Sequence, residues 1–326
     1  MRICIYGAGA IGGMMGSLLK KNGNEVVLIA RGKHYQNIKE KGLRFISEEY
    51  DLDILQKFDV YDSVDTLGTF DLVINGLKAH SSSLAAENVG KLLNKNSILV
   101  PTLNGVPWWF FFNIGGKFNN YKIDSVDDGQ KQWLHIGPSK VIGCVVYPAA
   151  EITEPGVIKH VEGKRFILGE PDNSRSDRII KLSKLFYEAG IKAPISQDIR
   201  SDIWLKLIGN SSFNPLSVIT KSTLIEMCID QSSKEIIEEI MREVSLIGEK
   251  LDIKMKLDIE KRIEGAKNVG HHKTSTLQDF ENDKPLEIDA LSKALIELGQ
   301  LTKVETPTIK IIYQLIKHLT DKKSKN

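Results

Sequence analysis

Cysteine is scarce in this chain, net charge nearly so, and long apolar runs do not occur. The three cysteines, Cys4, Cys144 and Cys228, stand far apart with no CxxC spacing. They offer no disulfide framework, so reduced thiols in a cytoplasmic setting are expected. No His/Cys cluster suggests a metal. A formal net charge of +2 argues against nucleic acid or a membrane surface as partner. No stretch approaches the ~20 apolar residues needed to span a bilayer, and the N-terminus enters a strand pattern without a leader-like segment. No internal repeat is present, and the tail DKKSKN (321–326) reads as a frayed end. What remains is ordinary globular material, 41% hydrophobic and 26% charged over 326 residues, enough for two domains.

Residues 2–6 (RICIY) read as a buried strand, and Gly7-Ala8-Gly9-Ala10-Ile11-Gly12 follows at once, ahead of a helical stretch to Lys21. This G-x-G-x-x-G has the context the motif needs. Gly7 permits the turn, Gly9 lets backbone N–H groups approach a pyrophosphate, and Gly12 allows close helix–strand packing. The next strand, Glu25–Ala30, should end in an acidic residue if the fold selects NAD. It runs instead into Arg31, which suits a 2′-phosphate, so NADP(H) is expected; the alternative is a surface arginine in a turn. Strand patterns at Asp71–Leu77 and Ser97–Leu103 end at Lys78 and Asn104-Gly105. In an open parallel sheet that end faces the ligand crevice, although both positions also read as plain loop residues.

Trp108–Phe112 is a run of five aromatics that cannot share one face. Core packing, a pocket lining and a subunit interface all remain open. Lys140–Gly169 reads as a β-meander closing the first domain, with His160 as a structural histidine within it. From Asp198 onward only helical periods occur. Ser232 or Ser233 caps one helix, another spans about Leu286–Leu298 and stops at Gly299, and a last begins near Pro307. The boundary is expected near residue 197: an α/β Rossmann-type dinucleotide-binding domain (1–196), then an all-α domain (197–326).

The first helix of that second domain carries IWLKLIGNSSFNP. Lys206, Asn210 and Asn214 recur every four residues, within about 80° of one another around an otherwise mostly apolar helix. Such a stripe either faces solvent or lines a cleft, where the ammonium would meet an oxyanion or carbonyl. Further on, Ser275 opens a hydroxyl-rich turn and could donate to a carboxylate. Glu287 falls in the first turn of the following helix, as a dipole-complementing charge or a ligand contact.

Together the GAGAIG loop, Lys78, Asn104-Gly105, WLKLIGNSSFNP and the STLQD…LEID segment (Ser275–Asp289) resemble the ketopantoate reductase (2-dehydropantoate 2-reductase) family over nearly the whole chain. The resemblance implies NADPH-dependent reduction of a 2-oxo acid, ketopantoate first, in pantothenate and coenzyme A biosynthesis. By it Lys206 is the proton donor, Asn210 and Asn214 are substrate amides, and Ser275 meets the substrate carboxylate. Asn104 touches cofactor and substrate, Lys78 and Glu287 contact the cofactor, and Ala149 makes a backbone contact. Leu224 departs from the pattern, standing where the family carries another substrate asparagine. That departure and the aromatic run leave room for a bulkier 2-oxo acid. A non-catalytic NADPH-binding protein and a 3-hydroxy acid dehydrogenase are the readings from other classes. A homodimer is expected from exposed aromatics and a helical second domain.

Overall fold

The structure, a computed structural model, describes residues 1–255 and 258–323. Two compact units emerge. The first comprises Met1–Leu103, Trp108–Lys122 and Gly129–Ile199. The second comprises Asn104–Pro107, Ile123–Asp128 and the described residues from Arg200 on.

In the first unit, strands β1 (Arg2–Tyr6), β2 (Glu25–Ile29), β5 (Asp59–Tyr61), β6 (Phe70–Asn75) and β7 (Leu93–Pro101) form an all-parallel sheet in the order β5-β2-β1-β6-β7. Val, Ile and Leu fill β1, β2 and β6, as a sheet covered on both faces requires. The order reverses between β1 and β6, so a ligand crevice belongs beyond Tyr6 and Asn75. Helix α1 (Ala10–Lys21) follows β1, and α2 (Gly32–Lys41) follows β2.

A second sheet, β4-β3-β10-β9, is built from β3 (Leu43–Ser47), β4 (Leu52–Gln56), β9 (Ala149–Glu154) and β10 (Val157–Glu162). It covers the outer face of α1. That helix is therefore packed on two sides, which explains why Gly12 through Leu19 are all buried. The expected meander of residues 140–169 does not form. β8 (Gly143–Val146) pairs with β11 (Phe166–Gly169) in a separate two-stranded sheet, while β9 and β10 form a hairpin joined to β3. Alternation marked these segments as strands, but alternation does not say which strand is the partner. α6 (Asp177–Glu188), capped by Ser176, packs beside β11.

Trp108, Trp109, Phe110 and Phe111 are buried and Phe112 half-buried. Their surroundings are core: a Cβ on Gly143 would lie 2.6 Å from the Trp109 ring, and Phe111 meets Phe110, Phe118 and Tyr121 in close ring contacts. This run therefore offers no exposed aromatic surface to a subunit interface. His160 is also interior. Its Nδ1 lies 2.7 Å from Ser47 Oγ and its Nε2 2.7 Å from the Gly163 carbonyl.

The second unit is helical. α7 (Ile199–Thr220), whose first residue closes the first unit, is followed by α8 (Leu224–Ile229), α9 (Gln231–Lys250), α10 (Ile259–Val269), α11 (Ser275–Glu281), α12 (Ala294–Thr302) and α13 (Pro307–Lys323). α9 buries Ile237, Ile240, Met241, Val244 and Ile247 on one stripe. Its cap is Asp230, accepting from Ser233 N–H at 2.7 Å, rather than Ser232 or Ser233. Any of these short polar side chains could cap, and Asp230 starts the helix two or three residues earlier. Glu243, buried on α9, accepts from Thr308 and Ile309 N–H at 2.7 and 3.0 Å and so caps α13. α12 does not stop at Gly299. It continues to Thr302 and ends on Lys303 in the left-handed region, while Gly299 leaves room for Val304 and Thr306.

Candidate active site

The first unit offers backbone. Gly7 (φ +95°) turns the chain off β1, and its N–H and that of Ala8 donate to the Ile29 carbonyl at 3.1 and 2.9 Å. A Cβ on Gly12 would sit 2.2 Å from the Gly7 carbonyl oxygen. Gly76, which the sequence alone did not single out, belongs to the same knot: a Cβ there would lie 2.5 Å from that oxygen. Gly9 differs, with no atom within 4 Å of where its Cβ would be. It caps α1, whose first-turn N–H groups have no intrahelical partner and carry the positive end of the dipole. Ala10 and Ile11 form that first turn. The open space over Gly9 and these N–H groups fit a dinucleotide pyrophosphate.

Arg31 is exposed and caps α2, immediately past β2. Lys78, half-buried, follows β6 and caps the one-turn α3 (Ala79–Ser82), its carbonyl accepting from Ser81 and Ser82 N–H. The loop between Asn75 and Ser82 is held from beneath by buried amides. Asn75 Nδ2 donates to Ser82 Oγ at 2.8 Å, and Ser82 Oγ donates to Gln132 Oε1 at 2.7 Å. Ala149 opens β9 and is half-buried.

The second unit offers side chains. Lys206 is half-buried on α7, and its Nζ donates to Asn104 Oδ1 at 2.7 Å. Asn104 is held there by its neighbour. Gly105 (φ +88°) packs against Ala290, where a Cβ would be 2.4 Å from the Ala290 carbonyl, and Val106 N–H donates to that same oxygen. The Asn-Gly pair is thus a docking turn. Asn210 is half-buried and Asn214 buried on α7. Pro215 removes one N–H from the helix, and serines bond the carbonyls around it. Ser212 Oγ donates to Ile208, Ser217 Oγ to Asn214. Ser217 Oγ also lies 2.6 Å from Thr274 Oγ1, the cap of α11. One hydroxyl pair therefore ties the Asn214 turn to the helix that opens with exposed Ser275. Glu287 is half-buried just ahead of the π-turn Asp289–Lys293, its carbonyl accepting from Leu291 N–H; it precedes the helical turn rather than lying in it. Leu224 is half-buried at the start of α8, its N–H donating to the His272 carbonyl at 3.0 Å. Among the described residues no group of His, Cys, Asp and Glu could hold a metal, and no helix is long and apolar enough to cross a membrane.

The family described as "Ketopantoate reductase PanE/ApbA" matches residues 3–173, and its C-terminal counterpart matches residues 198–320. The chain belongs to the ketopantoate reductase family. A 2-dehydropantoate 2-reductase from Mesorhizobium japonicum is 43% identical over 320 residues, covering 98% of each chain. A solved structure assigned to the ketopantoate reductases, from Ralstonia solanacearum MolK2, has a TM-score of 0.94 at 33% identity, covering 99% of this chain and 98% of that one. A D-mandelate dehydrogenase solved with NADH and anilino(oxo)acetate shares the fold, with a TM-score of 0.85 at 23% identity over 99% of each chain. As a ketopantoate reductase family member, the chain is an oxidoreductase acting on CH–OH groups with a nicotinamide dinucleotide.

Proposed function

We propose that this chain reduces ketopantoate to pantoate with NADPH, and that Lys206 is the proton donor. In this reading the Rossmann-type first unit holds the cofactor and the helical second unit the substrate. The observation that carries the reading is the Lys206–Asn104 bond. An amide oxygen fixed by a docked Asn-Gly turn points an ammonium that the helix presents beside two further amides.

Bound nicotinamide dinucleotide supplies the hydride to the substrate's C2 carbonyl carbon. As that carbon accepts the electron pair, the carbonyl oxygen becomes an alkoxide. The Lys206 ammonium stabilises the growing charge and transfers a proton to the oxygen, and solvent returns one to Nζ. Asn104 holds Nζ in line throughout. Asn210 and Asn214 bind the polar substituents of the substrate. Ser275, with the first-turn N–H groups of α11, takes the carboxylate. Arg31 meets the 2′-phosphate, Lys78 and Glu287 contact the cofactor from the C-terminal side of β6 and from the turn before residue 289, and Ala149 lends a backbone group. A bulkier 2-oxo acid is the second reading, favoured by half-buried Leu224, an apolar residue beside the segment leading to Ser275.

The test is loss of NADPH absorbance with ketopantoate, native chain against Lys206→Ala. The variant should lose about 10²- to 10⁴-fold in kcat while keeping its NADPH affinity. Native NADPH binding without turnover of ketopantoate, but with turnover of a larger 2-oxo acid, would replace the first substrate by the second. An active Lys206→Ala would overturn the proton-donor assignment.

A further inference from the structure

His34, in the first turn of α2, takes part in no step above, yet both of its ring nitrogens are committed. Nε2 lies 2.8 Å from the carbonyl oxygen of Ala8, inside the glycine loop, and Gly156 N–H donates to Nδ1 at 3.0 Å. A carbonyl can only accept and a backbone N–H can only donate, so Nε2 carries the proton and Nδ1 the lone pair. The imidazole is neutral by construction, and burial lowers its pKa further, against a smaller opposing effect of the Ala8 bond. Gly156 is itself fixed. It holds φ +85° in the β9–β10 turn, and its carbonyl accepts from Arg44 N–H on β3 at 2.9 Å.

We infer that His34 is the positioning residue that sets the dinucleotide loop against Arg31, and through that spacing sets the preference for the 2′-phosphorylated cofactor. This rests on the proposed reading of Arg31. The glycine loop is bonded to the Ile29 carbonyl at the end of β2, and the cap of α2 continues that strand two residues on. His34 lies three residues beyond Arg31 on the same helical turn and bonds the carbonyl of the loop's second residue. It therefore fixes the distance between the groups that would read the pyrophosphate and those that would read the ribose phosphate. The Gly156 bond braces the ring from behind, through a sheet anchored on α1. A guanidinium on a loosened helix can still meet a phosphate, but only by ordering itself on binding, which weakens the complex. NADH makes no use of Arg31 and loses less.

The experiment is equilibrium titration of NADPH and of NADH, followed by nicotinamide fluorescence, against the native chain, His34→Ala, His34→Gln and His34→Asn, each with a thermal melt. His34→Ala should weaken NADPH about tenfold, as loss of such a bond implies, and should lower the NADPH-over-NADH ratio at least about threefold. Glutamine can donate from its amide nitrogen to Ala8 and accept at its oxygen from Gly156, so His34→Gln should return most of both losses. Asparagine is too short to span both partners and should not. If His34→Ala does not fold, the contrast between Gln and Asn carries the same test. An unchanged ratio in a folded His34→Ala, or Gln and Asn variants that behave alike, would overturn the inference. If the native chain preferred NADH, Arg31 would not read the 2′-phosphate, and that reading and the inference would fall together. A native chain that prefers NADPH alongside an unchanged variant ratio would sink the inference alone.

Discussion

Helices α1 and α7 are both largely buried, yet they use opposite parts of the chain. α1 sits between two sheets and leaves little room for a side chain at Gly12 or Gly13. Gly12 and Gly16 let it approach the parallel sheet, and Gly13, where a Cβ would fall 2.0 Å from Ile158 Cδ1, lets the second sheet approach it. What such a helix can present is its terminal N–H groups. α7 carries full-sized polar side chains, Lys206, Asn210 and Asn214, and serines that bond its own carbonyls. The difference teaches that recognition of a constant group, a diphosphate, can be left to backbone, whereas chemistry at a particular carbon needs side chains that a helix can aim.

The sharpest way to break this contrast is at α1. Gly12→Ala puts a methyl into the Gly7 carbonyl, a backbone group that cannot swing aside, and should cost more than about 4 kcal/mol or prevent folding, read by urea denaturation. Gly9→Ala meets nothing in the protein. It should melt as the native chain does but bind NADPH at least about 100-fold more weakly, because its methyl fills the pyrophosphate cradle. If both variants failed alike, the distinction between a packing glycine and a ligand glycine would be lost. On α7 the expected effects lie in turnover instead. Asn104→Ala, which leaves Lys206 unaimed, should lower kcat by about 10- to 100-fold in a chain that still folds. Ser217→Ala cuts the tie to Thr274. It should raise KM for the oxo acid a few-fold and cost about 1 kcal/mol of stability, with kcat nearly native.

The smallest effect is one of pH and belongs to the first unit. His34 is neutral in the fold with its pKa held below 6.5, its value in the unfolded chain. The unfolded chain therefore binds the proton first. The stabilisation is complete above about pH 6.5 and declines as pH falls from there toward the lower folded pKa. Carboxylates held low by their bonds, such as Asp230 and Asp258 with backbone and side-chain hydrogen bonds, lose their contributions only at more acidic pH. Melting temperature against pH should show the earlier decline in the native chain and not in His34→Gln.

The local features of this architecture were legible in the sequence. The glycine loop, the strands around it, the polar stripe on α7 and the helix starting at Pro307 depend on residues a few positions apart, and each reads directly. Features that depend on a distant partner were not. Gly13 looks dispensable until Ile158 is placed over it, and Gly76 until it meets Gly7. His34 looks like a surface residue until Gly156 arrives. The pairing of β10 with β3 has no signature in either strand. Asn104 follows a strand, as its sequence context implies, but its grouping with Lys206 in the second unit depends on the dock at Ala290.

The two-sided grip on α1 also bears on the order in which the chain is made. A ribosome that has delivered β1, α1 and β2 has delivered the whole glycine motif, yet β9 and β10 lie far downstream. Until they emerge, Gly13 faces no Ile158 and His34 has no Gly156 behind it. Contacts this distant in sequence form late and slowly. The nascent first half therefore carries an apolar helix face that stays uncovered until the hairpin closes over it.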